Sequence, residues 1–149
     1  MSVIKVFLAG RIEEKERIDN LAIILKEHGG FEVVSRWHMK MYWEYYSQAS
    51  KRLRAIDDIE DLVRCDVLVR VLQGSGLKER DEDNLVAFGI ALGFGKGVVI
   101  YGDGKLGEDR LMYSYLPEVL KAITLPELIV KIRIAGQNAH SSEGEGGQK

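Results

Sequence analysis

The sequence has a single cysteine and no large excess of charge of either sign. Because Cys65 is alone among 149 residues, no disulfide can form within the chain, and we expect a reducing compartment. The net charge of −2 lacks the basic surplus typical of nucleic-acid-binding proteins. No apolar run is long enough to span a membrane, and the first residues lack a signal-peptide pattern. We therefore predict a cytoplasmic protein that binds a small molecule and neither nucleic acid nor a membrane.

The composition is that of a folded globular protein. Hydrophobic residues make up 46% of the chain and charged residues 30%. The length fits a single domain, which we place at residues 1–135. Residues 136–149 (GQNAHSSEGEGGQK) are rich in glycine, serine and charge and have no apolar face, so we predict a disordered tail there.

Apolar runs typical of buried strands alternate with segments of helical periodicity. Strands are predicted at residues 3–9, 31–36, 66–72 and 97–101, and helices at 11–29, 39–64, 84–95 and 126–134. This alternation predicts βαβ units with right-handed crossovers. The predicted fold class is α/β, a Rossmann-like or flavodoxin-like three-layer sandwich with a mostly parallel sheet of four to five strands.

The edge of the sheet at which parallel strands end is the expected ligand site. Ligands of such sheets bind beyond the carboxyl ends of the strands, near the point where the strand order reverses. The parts of the chain that reach this edge are residues 10–12, Trp37 and His38, the loop 73–83, and the helix that begins at Asn84. The candidate functional residues are therefore sought there.

The glycine-rich segment 93–97 (GFGKG) is not a nucleotide-binding loop. Such a loop follows a strand and opens a helix, so that a phosphate meets the helix N-terminus. Segment 93–97 instead closes a helix and opens a strand, which predicts a helix C-cap and a tight turn. No other segment indicates a cofactor or a metal, and we expect neither.

Residues 84–99 (NLVAFGIALGFGKGVV) resemble the E-x-G-x-A-x-x-x-G-K motif of the nucleoside 2-deoxyribosyltransferase family. The resemblance implies cleavage or exchange of the N-glycosidic bond of 2-deoxyribonucleosides or their monophosphates, through a covalent glycosyl-enzyme intermediate. Ala87 stands where the family has its nucleophilic glutamate. Alanine cannot form the intermediate, so we expect this chain to be nearly inactive. The alternative interpretation of Ala87 is a good helix former at a small, packed position.

Residues 58–66 (DIEDLVRCD) resemble the family pattern D-[LI]-x-x-[IL]-x-x-[AC]-D. The resemblance implies that the first aspartate, Asp58, reaches the ribose hydroxyls and the catalytic carboxylate. On a helix, Asp58 can face the edge of the sheet while Ile59 and Leu62 face the core. A solvated helix face is the alternative for this aspartate.

Two more segments resemble the family. The first strand carries Phe7 and is followed by Gly10 and Arg11. It resembles the first strand of the family, whose turn of small residues lets a base or sugar approach the backbone. Some family members have a tyrosine at the Phe7 position. Residues Trp37 and His38 lie in an S-R-W-H segment similar to the S-R-W of small phage and bacterial members. Trp37 can stack on a nucleobase and His38 can donate to its edge, or Trp37 covers the edge of the core and His38 is solvated.

The loop at residues 73–83 indicates whether the substrate has a 5′-phosphate. Family members that hydrolyse nucleoside monophosphates hold the phosphate with small hydroxyl residues, and Ser75 is the only candidate here. The acidic run 79–83 repels a phosphate unless Lys78 or Arg80 offsets it, which favours nucleosides over nucleotides. Asn84 is a further candidate for substrate binding. The resemblance also implies a homodimer or higher homo-oligomer with shared sites.

Two alternatives to an enzyme scaffold stay open. A non-catalytic module that binds a nucleoside or nucleotide fits the loss of polar chemistry at both Ala87 and Phe7. An unrelated flavodoxin-like or receiver-like domain is the second alternative. A receiver domain needs acidic residues after the first strand, where this chain has Gly10 and Arg11.

Overall fold

The computed structural model describes residues 2–39, 48–72, 82–102 and 115–146. In these residues five strands form one parallel sheet of order β2-β1-β3-β4-β5. The strands are β1 (Lys5–Ala9), β2 (Glu32–Val33), β3 (Val67–Leu72), β4 (Gly97–Gly102) and β5 (Val119–Ala122). The helices are α1 (Lys15–Gly29), α2 (Gln48–Arg64), α3 (Glu82–Gly93) and α4 (Leu125–Gly146). The predicted α/β class with a parallel sheet is confirmed.

Helices cover both faces of the sheet. The register pairs Ala9 with Arg70, so both side chains lie on one face, and the Arg70 guanidinium is 5.7 Å from the centre of the Phe88 ring on α3. Helix α2 packs beside α3 on this face. On the other face Gly97 lies so close to α4 that a Cβ there would be 2.7 Å from the Ala135 carbonyl oxygen. Strands β1, β3 and β4 are therefore almost wholly buried, as central strands of parallel sheets are.

Left-handed glycines end two of the helices. Gly30 has φ 69° and its N–H donates to the Lys26 carbonyl at 3.2 Å, which closes α1. Gly95 also has φ 69°, and the N–H of Lys96 donates to the Ala91 carbonyl at 2.9 Å. Both positions favour glycine because a Cβ is strained at positive φ. The C-cap and turn predicted for segment 93–97 are confirmed.

Helix α2 is acidic on its inner side and apolar on its outer side. Asp61 is fully buried and Leu62 is 3% exposed, whereas Ile59 is 52% exposed. The prediction that Ile59 faces the core is therefore wrong, while that for Leu62 is confirmed. An ion pair between Asp61 and Arg36, described below, fixes this rotation of the helix, and apolar periodicity alone does not detect it.

Helix α4 is longer than its sequence indicates. It continues to Gly146, beyond the predicted end at residue 134 and into the segment 136–149 for which a disordered tail is predicted. Gly136 is buried, and a Cβ on it would lie 2.9 Å from Ile4 Cδ1. The absence of a side chain at Gly136 thus lets α4 pack closely against Ile4 beyond the predicted end of the helix. No helix in the described residues is both long and apolar enough to cross a membrane.

The two edge strands also differ from the sequence-based expectation. Strand β5 occupies residues for which no strand is predicted, and β2 spans Glu32–Val33 and not the predicted residues 31–36. Beyond the end of β2, the side chains of Ser35 and Trp37 form hydrogen bonds to the backbone of β1, as described below.

Candidate functional site

The strand order reverses between β1 and β3, and the crevice at the carboxyl ends of these strands is the candidate site. Ala9, the last residue of β1, is paired with Arg70, and Gly10 and Arg11 follow directly. Arg70 is 9% exposed in a strand that is otherwise apolar. Arg70 is not among the residues predicted from the sequence, although a charged residue inside a buried strand is informative because charges are seldom buried.

Ala87 and Asp58 lie on the two helices that cover this face of the sheet. Ala87 is 8% exposed and shares the buried side of α3 with Phe88 and Ala91. Asp58 is half-buried on the inner side of α2. The two segments that resemble the family motifs thus lie on neighbouring helices over the same face of the sheet.

Arg36 attaches α2 to the end of β2. Its Nε donates to Asp61 Oδ1 at 3.0 Å, a guanidinium NH2 group lies 2.8 Å from the same oxygen, and the backbone N–H of Arg36 donates to Asp61 Oδ2 at 3.2 Å. The same guanidinium lies 3.6 Å from Asp57 Oδ1 and 3.7 Å from Glu60 Oε2. This cluster accounts for the inward rotation of the acidic side of α2, because a buried carboxylate needs a charged partner.

Side chains from the S-R-W-H segment continue the hydrogen bonding of β2. The Leu8 N–H, which points toward β2, donates to Ser35 Oγ at 3.1 Å, and the Leu8 carbonyl accepts the Trp37 Nε1–H at 2.6 Å. Trp37 is 8% exposed, so its ring covers the edge of the core. Both backbone groups of Leu8 are satisfied, although the strand beside it has ended.

His38 joins Ser35 to α1. Its Nδ1 lies 2.5 Å from Asp19 Oδ1 and its Nε2 lies 2.8 Å from Ser35 Oγ. Since a carboxylate only accepts, Nδ1 carries the proton, and in the neutral ring Nε2 accepts the Ser35 hydroxyl. The order Asp19–His38–Ser35 is that of a nucleophilic triad, but His38 and Ser35 are each 2% exposed, and Ser35 Oγ is held by the Leu8 N–H. The arrangement therefore ties β1, β2 and α1 together and presents no nucleophile.

The other site residues predicted from the sequence lie on β1, directly after β1, or outside the described residues. Phe7 is 2% exposed within β1, on the same face as Arg70. A Cβ on Gly10 would overlap Ile18 Cδ1, so glycine lets α1 approach β1. The Arg11 side chain is 12% exposed, with its Nε 3.7 Å from Glu13 Oε2. Ser75 lies outside the described residues, and so does the side chain of Asn84.

Cys65 and acidic clusters add no reactive centre to the part of the chain that the structure describes. The Cys65 thiol donates to the Leu62 carbonyl at 3.1 Å, and burial raises its pKa to about 12. At neutral pH it is thus a protonated thiol, which is a poor nucleophile. Among the described residues, no group of three histidine, cysteine or acidic side chains is arranged to hold a metal ion.

A cavity of about 170 Å³ lies on the face of the sheet opposite to Arg70. Residues of α1, β3, β4 and α4 line it: Arg17, Ile18, Asn20, Leu21, Ile24, Val71, Tyr101 and Leu125. Because Val71 alternates with Arg70 along β3, the two point to opposite faces. This cavity is on the other face of the sheet from α2 and α3, the helices that carry Asp58 and Ala87.

Solved structures share this architecture. The CMP N-glycosidase of Clostridium botulinum superposes with a TM-score of 0.55 at 21% identity, over 87% of this chain and 97% of that one. A 2-deoxyribosyltransferase from Bacillus psychrosaccharolyticus superposes with a TM-score of 0.65 at 17% identity, over 84% of this chain and 90% of that one. The chain has a deoxyribosyltransferase-like fold.

The same fold also occurs in a receptor domain. The SEFIR domain of interleukin-17 receptor B superposes with a TM-score of 0.57 at 12% identity, over 92% of this chain and 97% of that one. No protein-family model matches the sequence, and no curated protein matches it significantly. The comparisons therefore show the fold alone, and activity has to be argued from the residues of the site.

Proposed function

We propose that the chain binds a 2-deoxyribonucleoside or its monophosphate at the crevice between β1 and β3, on a scaffold for cleavage or exchange of the N-glycosidic bond, with Ala87 at the place of the nucleophile. One observation carries this proposal. Asp58 and Ala87, from the two segments that resemble the family motifs, lie on adjacent helices that cover the same face of the sheet. The deoxyribosyltransferase-like fold supports the same assignment.

The chemistry assigned to this scaffold needs a carboxylate on α3. A glutamate at position 87 would attack C1′ of the sugar while the bond from C1′ to the base nitrogen breaks, and the base leaves with the electron pair and takes up a proton. Water or a second base then attacks C1′ and frees the carboxylate. Ala87 has no lone pair to donate, so the chain as it stands is expected to lose on the order of 10⁴–10⁶ in rate.

The charge at the crevice bears on the substrate class. Arg70 places a guanidinium beside α3, and Arg11 follows the end of β1. Guanidinium groups are well suited to phosphate and carboxylate partners. Arg70 and Arg11 are therefore the cations we propose for a 5′-monophosphate, against the preference for nucleosides that the acidic run 79–83 suggests.

A non-catalytic binding module is the second candidate function, and the burial of Ala87 favours it. Ala87 is 8% exposed, so it occupies a buried position on α3, where a small apolar residue is expected for packing alone. Phe7 likewise supplies shape without a hydroxyl. In this alternative, the chain retains the nucleoside or nucleotide and never cleaves it.

Base release from a panel of deoxynucleosides and their monophosphates distinguishes the two candidates. The native chain, Ala87→Glu and Ala87→Gln are compared by chromatography of the free base. The glutamine variant is the matched control because it has nearly the size of glutamate but no nucleophilic carboxylate. We expect base release only from Ala87→Glu, with a deoxyribosyl adduct on that variant detectable by mass spectrometry.

Base release is interpreted only for variants that fold, so each variant is first checked by thermal unfolding. A folded Ala87→Glu variant that releases no base from any substrate contradicts the enzyme scaffold. Micromolar binding of a nucleoside or monophosphate by the native chain would then support the binding module. Absence of both activity and binding contradicts the whole proposal.

A further inference from the structure

The cavity on the face of the sheet opposite to Arg70 lies near the carboxyl ends of two central strands. Val71 and Tyr101, which line it, are paired in the register of β3 and β4, and each is the last residue but one of its strand. Helix α1 and Leu125, the first residue of α4, supply the rest of the lining. Because parallel α/β sheets bind ligands beyond the carboxyl ends of their strands, the cavity has the location of a binding site.

The size of the cavity fits a single ring. Its volume of about 170 Å³ is close to the roughly 150 Å³ of an engineered apolar cavity that binds benzene. Protein interiors contain few voids larger than a water molecule, so a space of this size is unusual beside a packed core. One six-membered ring with a short substituent matches this volume, whereas a nucleoside, in which a sugar is joined to a base, is larger.

The lining is apolar where it is buried and polar where it is exposed. Ile18 is fully buried, and Val71 and Tyr101 are 3% and 4% exposed. Asn20 is exposed, and the Arg17 side chain is 41% exposed. Arg17 is the one charged residue among the eight described residues that line the cavity. A matching ligand therefore has an apolar ring for the buried part and one anionic group for the exposed part.

We propose that this cavity binds a small aromatic monocarboxylate, with the ring against Val71 and Tyr101 and the carboxylate paired with the Arg17 guanidinium. The Tyr101 ring is an aromatic partner for the ring of the ligand. A guanidinium suits a carboxylate because the two can be joined by parallel N–H···O hydrogen bonds. The inference does not rest on the nucleoside proposal, since the cavity and helices α2 and α3 lie on opposite faces of the sheet.

Glu14 competes with the ligand for Arg17. The Arg17 guanidinium donates to Glu14 Oε2 at 3.1 Å within the chain. A ligand carboxylate has to share this cation with Glu14, so we expect weak binding, with a Kd of about 0.1–1 mM. Glu14→Gln should strengthen binding by about threefold, because glutamine keeps hydrogen-bonding atoms and removes the competing charge.

NMR titration of the full native chain tests the ligand class. Benzoate and phenylacetate should shift the amide resonances of Arg17, Leu21 and Leu125 in a saturable way, and those of Phe88 and Ala91 on α3 should stay unchanged. Benzamide lacks the charge and inorganic phosphate lacks the ring, so each should bind at least about 10-fold more weakly than benzoate. The absence of a saturable shift with both carboxylates up to about 10 mM overturns the proposal, and so does equal binding of benzamide.

Two variants with matched controls on α1 test the location. Arg17→Gln should weaken benzoate binding by about 10-fold, whereas Lys26→Gln, which removes an exposed cation outside the cavity lining, should not. Ile24→Phe should occupy the cavity and weaken binding by at least about 10-fold, whereas Ile23→Phe, at a 54% exposed position outside the lining, should not. Thermal unfolding confirms that each variant folds. Native affinity in folded Arg17→Gln, or in folded Ile24→Phe, overturns the proposal.

Discussion

Arg36 and Asp61 form a multidentate ion pair that fixes which side of α2 faces the protein. The guanidinium approaches Asp61 Oδ1 to 2.8 Å and the carboxylate is fully buried, although the two residues are 25 positions apart. This pair turns the acidic side of α2 inward, so Asp58 is half-buried while Ile56 and Ile59 are exposed. One contact thus sets the orientation of the helix that carries Asp58.

Removing the buried carboxylate charge should destabilise the fold. Asp61→Asn is expected to lower the free energy of unfolding by about 2–3 kcal/mol, because the Arg36 guanidinium loses its closest partner. Arg64→Gln is the control: its pair with Glu32 is 4.0 Å long and about half exposed, so a change below about 0.5 kcal/mol is expected. Urea unfolding measures both, and equal effects would show that Asp61 does not anchor α2.

The side chains that extend β2 should matter for stability. Ser35→Ala leaves the Leu8 N–H and His38 Nε2 without their described partner and is expected to cost about 1–3 kcal/mol. Trp37→Phe keeps an aromatic ring but removes the donor to the Leu8 carbonyl, and a loss of about 1 kcal/mol is expected. Thermal unfolding of the two variants measures these losses. Variants as stable as the native chain would refute this structural role.

Two glycines should respond to alanine in opposite directions. Gly97→Ala would place a Cβ 2.7 Å from the Ala135 carbonyl oxygen, a backbone atom, so we expect a loss of about 2 kcal/mol. Gly89 lies exposed within α3 with nothing near its missing Cβ, and Gly89→Ala should raise stability by about 0.5–1 kcal/mol. Chemical denaturation of the pair tests whether α4 packs directly on β4. Similar effects at both positions would contradict that contact.

Cys65 should be unreactive in the folded protein, and its contribution to stability should fall at high pH. Burial raises its pKa from the ordinary 9.0 to about 12, so the folded state retains the proton longer than the unfolded state does. The contribution is therefore complete below pH 9 and is lost as the pH rises toward about 12. A thiol reagent should label the native chain slowly and the urea-unfolded chain quickly. Equal labelling rates would contradict the burial of this thiol.

The order of the main elements could be predicted from the sequence because their signals are local. Alternating apolar runs indicate the parallel sheet, and the left-handed turns at Gly30 and Gly95 follow from residue type. The rotation of α2 could not be predicted this way. Its cause is a contact between Arg36 and Asp61, and apolar periodicity indicates only that a helix has an apolar side, not that this side faces inward.

The candidate site, like the fold, could be predicted only in part from the sequence. The positions of Ala87 and Asp58 on neighbouring helices follow from the segments that carry them. The roles of Ser35 and Trp37 depend on where β2 ends, which depends in turn on hydrogen bonds to Leu8. A residue type compatible with stacking on a base is equally compatible with closing the edge of a core, and only the fold distinguishes these uses.

The central claim, that the crevice between β1 and β3 binds a nucleoside or its monophosphate, is tested most directly by NMR titration of the native chain. We predict that the amide resonances of Gly10, Arg11 and Phe88 shift in a saturable way with at least one deoxynucleoside or monophosphate of the panel. Resonances of Arg17 and Leu125, at the cavity on the other face, should stay unchanged. No shift at millimolar ligand, or shifts confined to that second cavity, would contradict the account.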